Sequence, residues 1–370
     1  MPIVSVNGTG LNPGAPKRYS DLKQDQLAIV TYREIWWDNS HQARLPRSMS
    51  TPMYNQTTHQ NDGFTGPEGT VVCFGVLSYL QLMLVEQVPI HNGGNSIRQL
   101  TDSYGDDAAI VSGMLQQLGQ KSKFIPSAVG DDDLGRKVTA TVSGLGIPVD
   151  VRIDSSVDTV AELSISDPSG ARTYFYQRTP ELMATLDSAD LSPLDNASFL
   201  YVDWYDGDHI LRAMESAAQS KIPVFMNLES QYLNKEVLAK FAPYTDVCQV
   251  SVDQPESNYD MESISSILLH SGIPTALITG GSNGSLSVNS SQKVRITAPK
   301  VGVVDGNGAG SCFSASYIYG SLRGCNIERC SRFATAQASL KCRTPGYQVT
   351  SVAEGERIAD TLQTKVDYHN

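Results

Sequence analysis

The stretch "VVDGNGAGSCF", Val303 to Phe313, decides how this chain is read. Gly308, Ala309 and Gly310 stand between an apolar run and the helical-looking "CFSASYIYGSLRG". Glycines let a backbone approach a ligand closely, and the first N–H groups of a helix are unpaired and partly positive. Such a turn is an anion hole suited to a phosphoryl group. Small residues also permit plain helix–sheet packing, so the turn has to be weighed with its surroundings. Ser311 follows directly. A serine there caps a helix well, but unassisted it is a poor proton acceptor.

Outward from this turn, strands and helices alternate. "TVVCFGVLSYL" from Thr70 reads as one buried strand, "AAIVSGMLQQLG" as a helix closed by Gly119, and "VAELSISDPSGARTYFYQ" as an antiparallel hairpin. "ASFLYVDWY", "IPVFMNL", "DVCQVSV" and "PTALITGG" are further strands, most of them followed by helical segments. This alternation predicts an α/β fold whose mostly parallel central sheet carries helices on both faces, with ligands at the carboxyl ends of the strands. Residues 1–69 differ: they are rich in Pro, Asn, Thr and Gln around the aromatic knot "TYREIWWDNS". They read as an N-terminal extension. Trp36 and Trp37 either fill a groove of the main body or form an arm for a protein partner.

Bulk properties narrow the function. The 370 residues are 40% hydrophobic, enough for one large domain or two ordinary ones. Lys and Arg number 28 against 39 Asp and Glu, a net charge of −11, which disfavours nucleic acid as a partner. No run approaches the ~20 apolar residues of a membrane span, and the N-terminus lacks the pattern of a secretory signal. The six cysteines form no CxxC pair, and nothing resembles HExxH. Reduced thiols and a cytoplasmic location are the expectation.

Further motifs accompany the turn. "ITGGSNG" supplies Thr279, Gly281 and Gly284, "SVDQPES" supplies Asp253 and Glu256, and "AVGDDDLG" supplies Gly130, Asp132 and Gly135. In this order and spacing they resemble the ribokinase, or PfkB carbohydrate kinase, family. Its closing signature D-T-x-G-A-G-D-x-F is matched at Asp305, Gly308, Ala309, Gly310 and Phe313, and its V-G-x-D-x-x-G from Val129 to Gly135. The resemblance covers about residues 70–350. It implies a ribokinase-like domain over 70–370 with a small β lid near 82–100 and 155–180, the first part including "VEQVPIHNG". It also implies transfer of the γ-phosphoryl of ATP to a hydroxyl of a sugar, nucleoside or similar small molecule. Thr279, Gly281, Gly284 and Asp305 would serve the nucleotide, Asp253 and Glu256 Mg2+, and Gly308 to Gly310 the anion. Lid-mediated homodimers are a further implication.

The departures from the family pattern are concentrated. Ser311 stands where the family has its general-base Asp, Leu80 where it has the substrate-gripping Asp, and Asp106 and Ile110 where a helix-opening G-G-x-x-x-N has its second Gly and its Asn. A placed base contributes about 10²–10⁴ in rate. Leaving a buried sugar hydroxyl unsatisfied costs about 1–3 kcal/mol. Two expectations follow: a phosphotransferase with impaired catalysis and an altered, more apolar acceptor site, in which Asp106 or Asp107 replaces the missing acid, or a pseudokinase kept as a nucleotide-binding or structural subunit.

Overall fold

The computed structural model describes residues 69–252 and 260–369. The first strand is β1 (Thr70–Gly75), whose last five residues are buried. The run expected as one strand breaks after Gly75, where a Cβ would stand 2.4 Å from Asp206 Oδ2 and 2.9 Å from the Ala108 Cβ. The chain then enters a second sheet as β2 (Ser78–Val85) and returns as β3 (Ile97–Gly105). "VEQVPIHNG" is therefore largely the connection between these two strands, with only Val85 in β2. α1 (Asp107–Gln117) and β4 (Ser122–Pro126) follow, with Gly119 at φ +77° just beyond the helix. α2 (Asp133–Gly144) precedes the expected hairpin, β5 (Val160–Ser166) and β6 (Arg172–Gln177).

The body continues through the short α3 (Pro180–Ala184), β7 (Ala197–Asp203), α4 (Leu211–Gln219), β8 (Val224–Glu229), α5 (Lys235–Phe241) and β9 (Val247–Ser251). α6 (Met261–His270), β10 (Thr275–Thr279), β11 (Ser285–Val288) and β12 (Gln292–Ile296) come next. Then come α7 (Ala309–Leu322), α8 (Ile327–Lys341), α9 (Val352–Ala359) and β13 (Thr364–Tyr368).

The main sheet has the order β4-β1-β7-β8-β9-β10-β11-β12-β13. Pairing is parallel from β4 to β10 and antiparallel from there to β13. Its two faces carry separate hydrophobic clusters. One contains Tyr201, Phe225, Met114 and Phe313, and the other Leu200, Met226, Met214 and Leu268. Burial on both faces explains why these strands read as continuous apolar runs. The lid is a second sheet, β3-β2-β5-β6. Ser164 of β5 donates to Asn307 Oδ1 at 2.6 Å, tying the lid to the Gly-rich turn.

Candidate active site

The first side of the site is the start of α7. Gly308 is the N-cap residue at φ +73°, and no side chain caps the helix. A Cβ on Gly308 would meet Tyr347 Cδ1 at 2.7 Å, so both conformation and space require glycine. Asp305 is wholly buried. Its Oδ1 accepts from Asn307 N at 2.9 Å and Asn307 Nδ2 at 2.8 Å, and its Oδ2 from Gly346 N at 2.9 Å. Lys341, also wholly buried, donates to the Asp305 carbonyl at 3.0 Å. Burial holds the Lys341 ammonium below its ordinary pKa, against the opposing pull of Asp305. Asp305 thus shapes the turn. Its carboxylate, expected to serve the nucleotide, is engaged inside the protein by Asn307 and Gly346.

The neighbouring strand ends complete this side. Gln249 of β9 donates to the Gly310 carbonyl at 3.2 Å and accepts from Ser314 Oγ at 2.8 Å. At the end of β10 the Thr279 hydroxyl lies 3.2 Å from that of Ser251. Gly281, at φ +54°, is exposed, and a Cβ there would meet nothing within 4 Å. Gly284 is buried, and its Cβ would fall 1.9 Å from the Ile296 carbonyl, so it serves the loop itself. Asp253 and Glu256, the expected metal residues, lie outside the described residues, as do Trp36 and Trp37.

The second side is a cavity of about 120 Å³ between the lid and the body, lined by Leu80, Asp106, Asp107, Ile110, Gly308 and Ser311 among others. Every residue expected in the acceptor and anion sites except Ala309 is in that lining. The serine does not stand alone. Its hydroxyl donates to Asp107 Oδ1, so a carboxylate from the start of α1 sits against the position where the family has its base. Asp106, the N-cap of α1, has φ +74° and ψ 141°. That conformation is strained for any residue but glycine, which explains the glycine of the family pattern at this place. Here Arg178 Nη2 meets Asp106 Oδ2 at 2.6 Å.

Arg178 is a hub that the sequence reading missed. It also lies 3.2 Å from Asp206 Oδ1 and 3.7 Å from Glu162 Oε1, and its guanidinium faces the rings of Tyr176 and Tyr205. One cation serves the buried Asp106 and Asp206 and the partly exposed Glu162, and burial prevails over its attraction. Asp106 is raised despite Arg178, Asp206 stands well above the ordinary carboxylate range, and Glu162 is pushed up to about 8 by burial and then by Asp106. In register, Leu80 of β2 stands opposite Glu162 of β5. The acid absent from β2 therefore has a counterpart one strand away. The expectation of a more apolar acceptor site is corrected: Asp106, Asp107, Glu162 and Glu229, with Arg172 and Arg178, all line the cavity. A second cleft of about 190 Å³, lined by residues of α8 and α9, holds the Arg329–Glu356 pair and shares no lining residue with the first.

Residues 69–353 match the pfkB family of carbohydrate kinases. The chain belongs to that family. Aminoimidazole riboside kinase of Salmonella typhimurium is 24% identical over 232 residues, 58% of this chain and 72% of that protein. Nucleoside kinase of Methanothermobacter thermautotrophicus is 24% identical over 296 residues, 78% of this chain and 94% of that protein. Among solved structures, Arabidopsis thaliana ribokinase complexed with ribose and ATP superposes with a TM-score of 0.61 at 18% identity, covering 79% of this chain and 99% of that one.

The pfkB motifs now separate into two groups. Gly308, Gly310, Gly281 and the Ser311 position border space that a ligand can enter. The V-G-x-D-x-x-G motif is architectural. Asp132 accepts from Gly135 N at 2.7 Å and Thr159 N at 2.9 Å, and a Cβ on Gly135 would lie 2.3 Å from the Gly130 carbonyl. The six cysteines are free, and burial raises the thiols of Cys73, Cys248 and Cys312. Among the described residues no helix is long and apolar enough to cross a membrane.

Proposed function

We propose that this pfkB-family protein is an ATP-dependent phosphotransferase acting on a hydroxyl of a small polar molecule, with Asp107 as the proton acceptor. The contact between Ser311 Oγ and Asp107 Oδ1 carries the proposal. It supports a relocated base: the acid has moved from α7 to the start of α1, and the serine holds its orientation. ATP, when bound, supplies the phosphoryl group. The uncapped start of α7, which borders the cavity at Gly308 and Gly310, suits its terminal phosphate. As the acceptor oxygen bonds to the γ-phosphorus and the bridging P–O bond of ATP breaks to release ADP, Asp107 takes the hydroxyl proton and the first-turn N–H groups of α7 stabilise the charge that develops. Arg178, Glu162 and the tyrosines of the lid orient the acceptor. Sugar or nucleoside acceptors suit this polar lining and accord with the names of the relatives.

The test is an ADP-release screen over sugars, nucleosides and related alcohols. With the best acceptor, Asp107→Asn should lower kcat by about 10²–10⁴, and Ser311→Ala should have a smaller effect, since it removes only an orienting contact. Intact turnover in Asp107→Asn would sink the assignment. Buried Leu80 and Ile110 on the pocket wall favour a second reading, a nucleotide-binding pseudokinase. That reading predicts thermal stabilisation by ATP with no acceptor turned over.

A further inference from the structure

Beside the acceptor cavity the fold gathers Asp107, Asp203 and Glu229, with one carboxylate oxygen from each lying within 4.8 Å of the others. They come from three elements: the first residue of α1 and the last residues of β7 and β8. Glu229 reaches this place through a register shift after Asn227 and a backbone φ of +51°. Between the two strand ends, Asn227 Nδ2 donates to Asp203 Oδ2 and to Glu229 Oε1, each at 2.7 Å, and so fixes both carboxylates. Tyr205 N donates to Asp203 Oδ1 at 2.7 Å.

Tyr201 adds an independent observation. It precedes Asp203 by two residues on β7 and shares its face of the sheet. The residue is wholly buried and its hydroxyl has no hydrogen-bond partner. Burial first, and then the charges of Asp107, Asp203, Glu229 and Cys73, raise its pKa well above the ordinary value. A buried phenol without a partner calls for an explanation, and this one sides with three acids that repel one another. Arg178 is turned toward Asp106, Asp206 and Glu162.

We propose that Asp107, Asp203 and Glu229, with the Tyr201 hydroxyl beside them, bind a hard divalent cation on the acceptor side of the pocket, separate from the expected metal residues Asp253 and Glu256. The donors are all oxygen, the set that Mg2+, Mn2+ and Ca2+ prefer. The limit of 4.8 Å on their separation accommodates two metal–oxygen bonds of about 2.1–2.4 Å. Asn227 supplies the outer hydrogen bonds that orient ligating carboxylates. Such an ion offsets the mutual repulsion of three carboxylates held this close together. The site does not depend on phosphoryl transfer.

The experiment is titration of the nucleotide-free, full-length protein with Mn2+, followed by electron paramagnetic resonance. Wild type should bind Mn2+ without nucleotide. Asp203→Asn and Glu229→Gln should each weaken binding by about tenfold or more, while Glu256→Gln retains it. Circular dichroism checks folding, and Glu229→Gln, at the cavity wall, carries the test if Asp203→Asn does not fold. No Mn2+ binding by wild type, equal binding in both variants, or loss only in Glu256→Gln would overturn the proposal. So would stabilisation by ethylamine without Mn2+ binding, which would make the cluster a subsite for an organic ammonium. A protein that binds Mn2+ as expected but turns over no acceptor would refute the kinase reading and leave the metal site standing.

Discussion

Replacing Arg178 by methionine tests the buried ion-pair cluster at the wall of the cavity. The side chain is only 12% exposed, and its loss strips the counter-charge from Asp106 and Asp206, which are 1% and 0% exposed. Removing one partner of a buried ion pair destabilises by about 3–5 kcal/mol, because the remaining charge is left unpaired. For a domain of this size that lowers Tm by about 10 °C. The loss must depend on pH in a stated direction. Glu162 rises from 4.5 to about 8 in the folded protein, so between those values the folded chain holds a proton that the unfolded chain releases. Stability therefore falls as pH increases across that window. Arg178 lowers both Asp106 and Glu162, so its removal lifts them further and steepens the fall. Urea denaturation at a series of pH values measures this. Arg178→Met should be closest to wild type at the acid end and furthest at the alkaline end. Adding Asp106→Gly should recover part of the loss, since glycine adopts φ +74° without strain and one buried charge disappears. A single variant within about 1 kcal/mol of wild type at every pH, the behaviour of a surface pair, would refute the hub.

Further outcomes follow from other residues. Glu162→Gln should flatten the decline in stability between 4.5 and about 8, read by the same titration. Gly308→Ala, forced to hold φ +73° with its Cβ against Tyr347, should lose about 1–3 kcal/mol and much of the thermal stabilisation by ATP. Lys341→Met should destabilise by about 3–5 kcal/mol, since it leaves Asp305 buried without its ammonium. It should also weaken ATP binding through the turn that Asp305 holds, measurable by calorimetry.

Much of the fold was legible because its signals are local. A strand covered on both faces must be apolar throughout, so β7 to β10 could be read directly from composition. The turn at Gly308 was legible for a similar reason, since positive φ and crowding by Tyr347 leave glycine as the residue that fits. The break at Gly75 was not legible. Nothing in "TVVCFGVLSYL" announces that Asp206, 131 positions later, crowds that point and turns the chain into the lid. β13, which has only five residues and carries charges, lacked the apolar pattern that marks an inner strand.

The site divides along the same line. The proposed anion-holding half rests on one short segment, whose glycine-rich turn ahead of a helix is legible in the sequence alone. Its acid–base half is assembled from distant segments. Reading the chain linearly, Ser311 was a base lost, with Asp106 or Asp107 as candidate replacements, and Leu80 a grip lost. Folding brings Asp107 to the serine, sets Glu162 across from the leucine, and gathers Asp203 and Glu229 by strand register. Backbone preferences act between neighbours and leave their mark in order and spacing, whereas charges act through space, where only the tertiary structure decides which acids become neighbours.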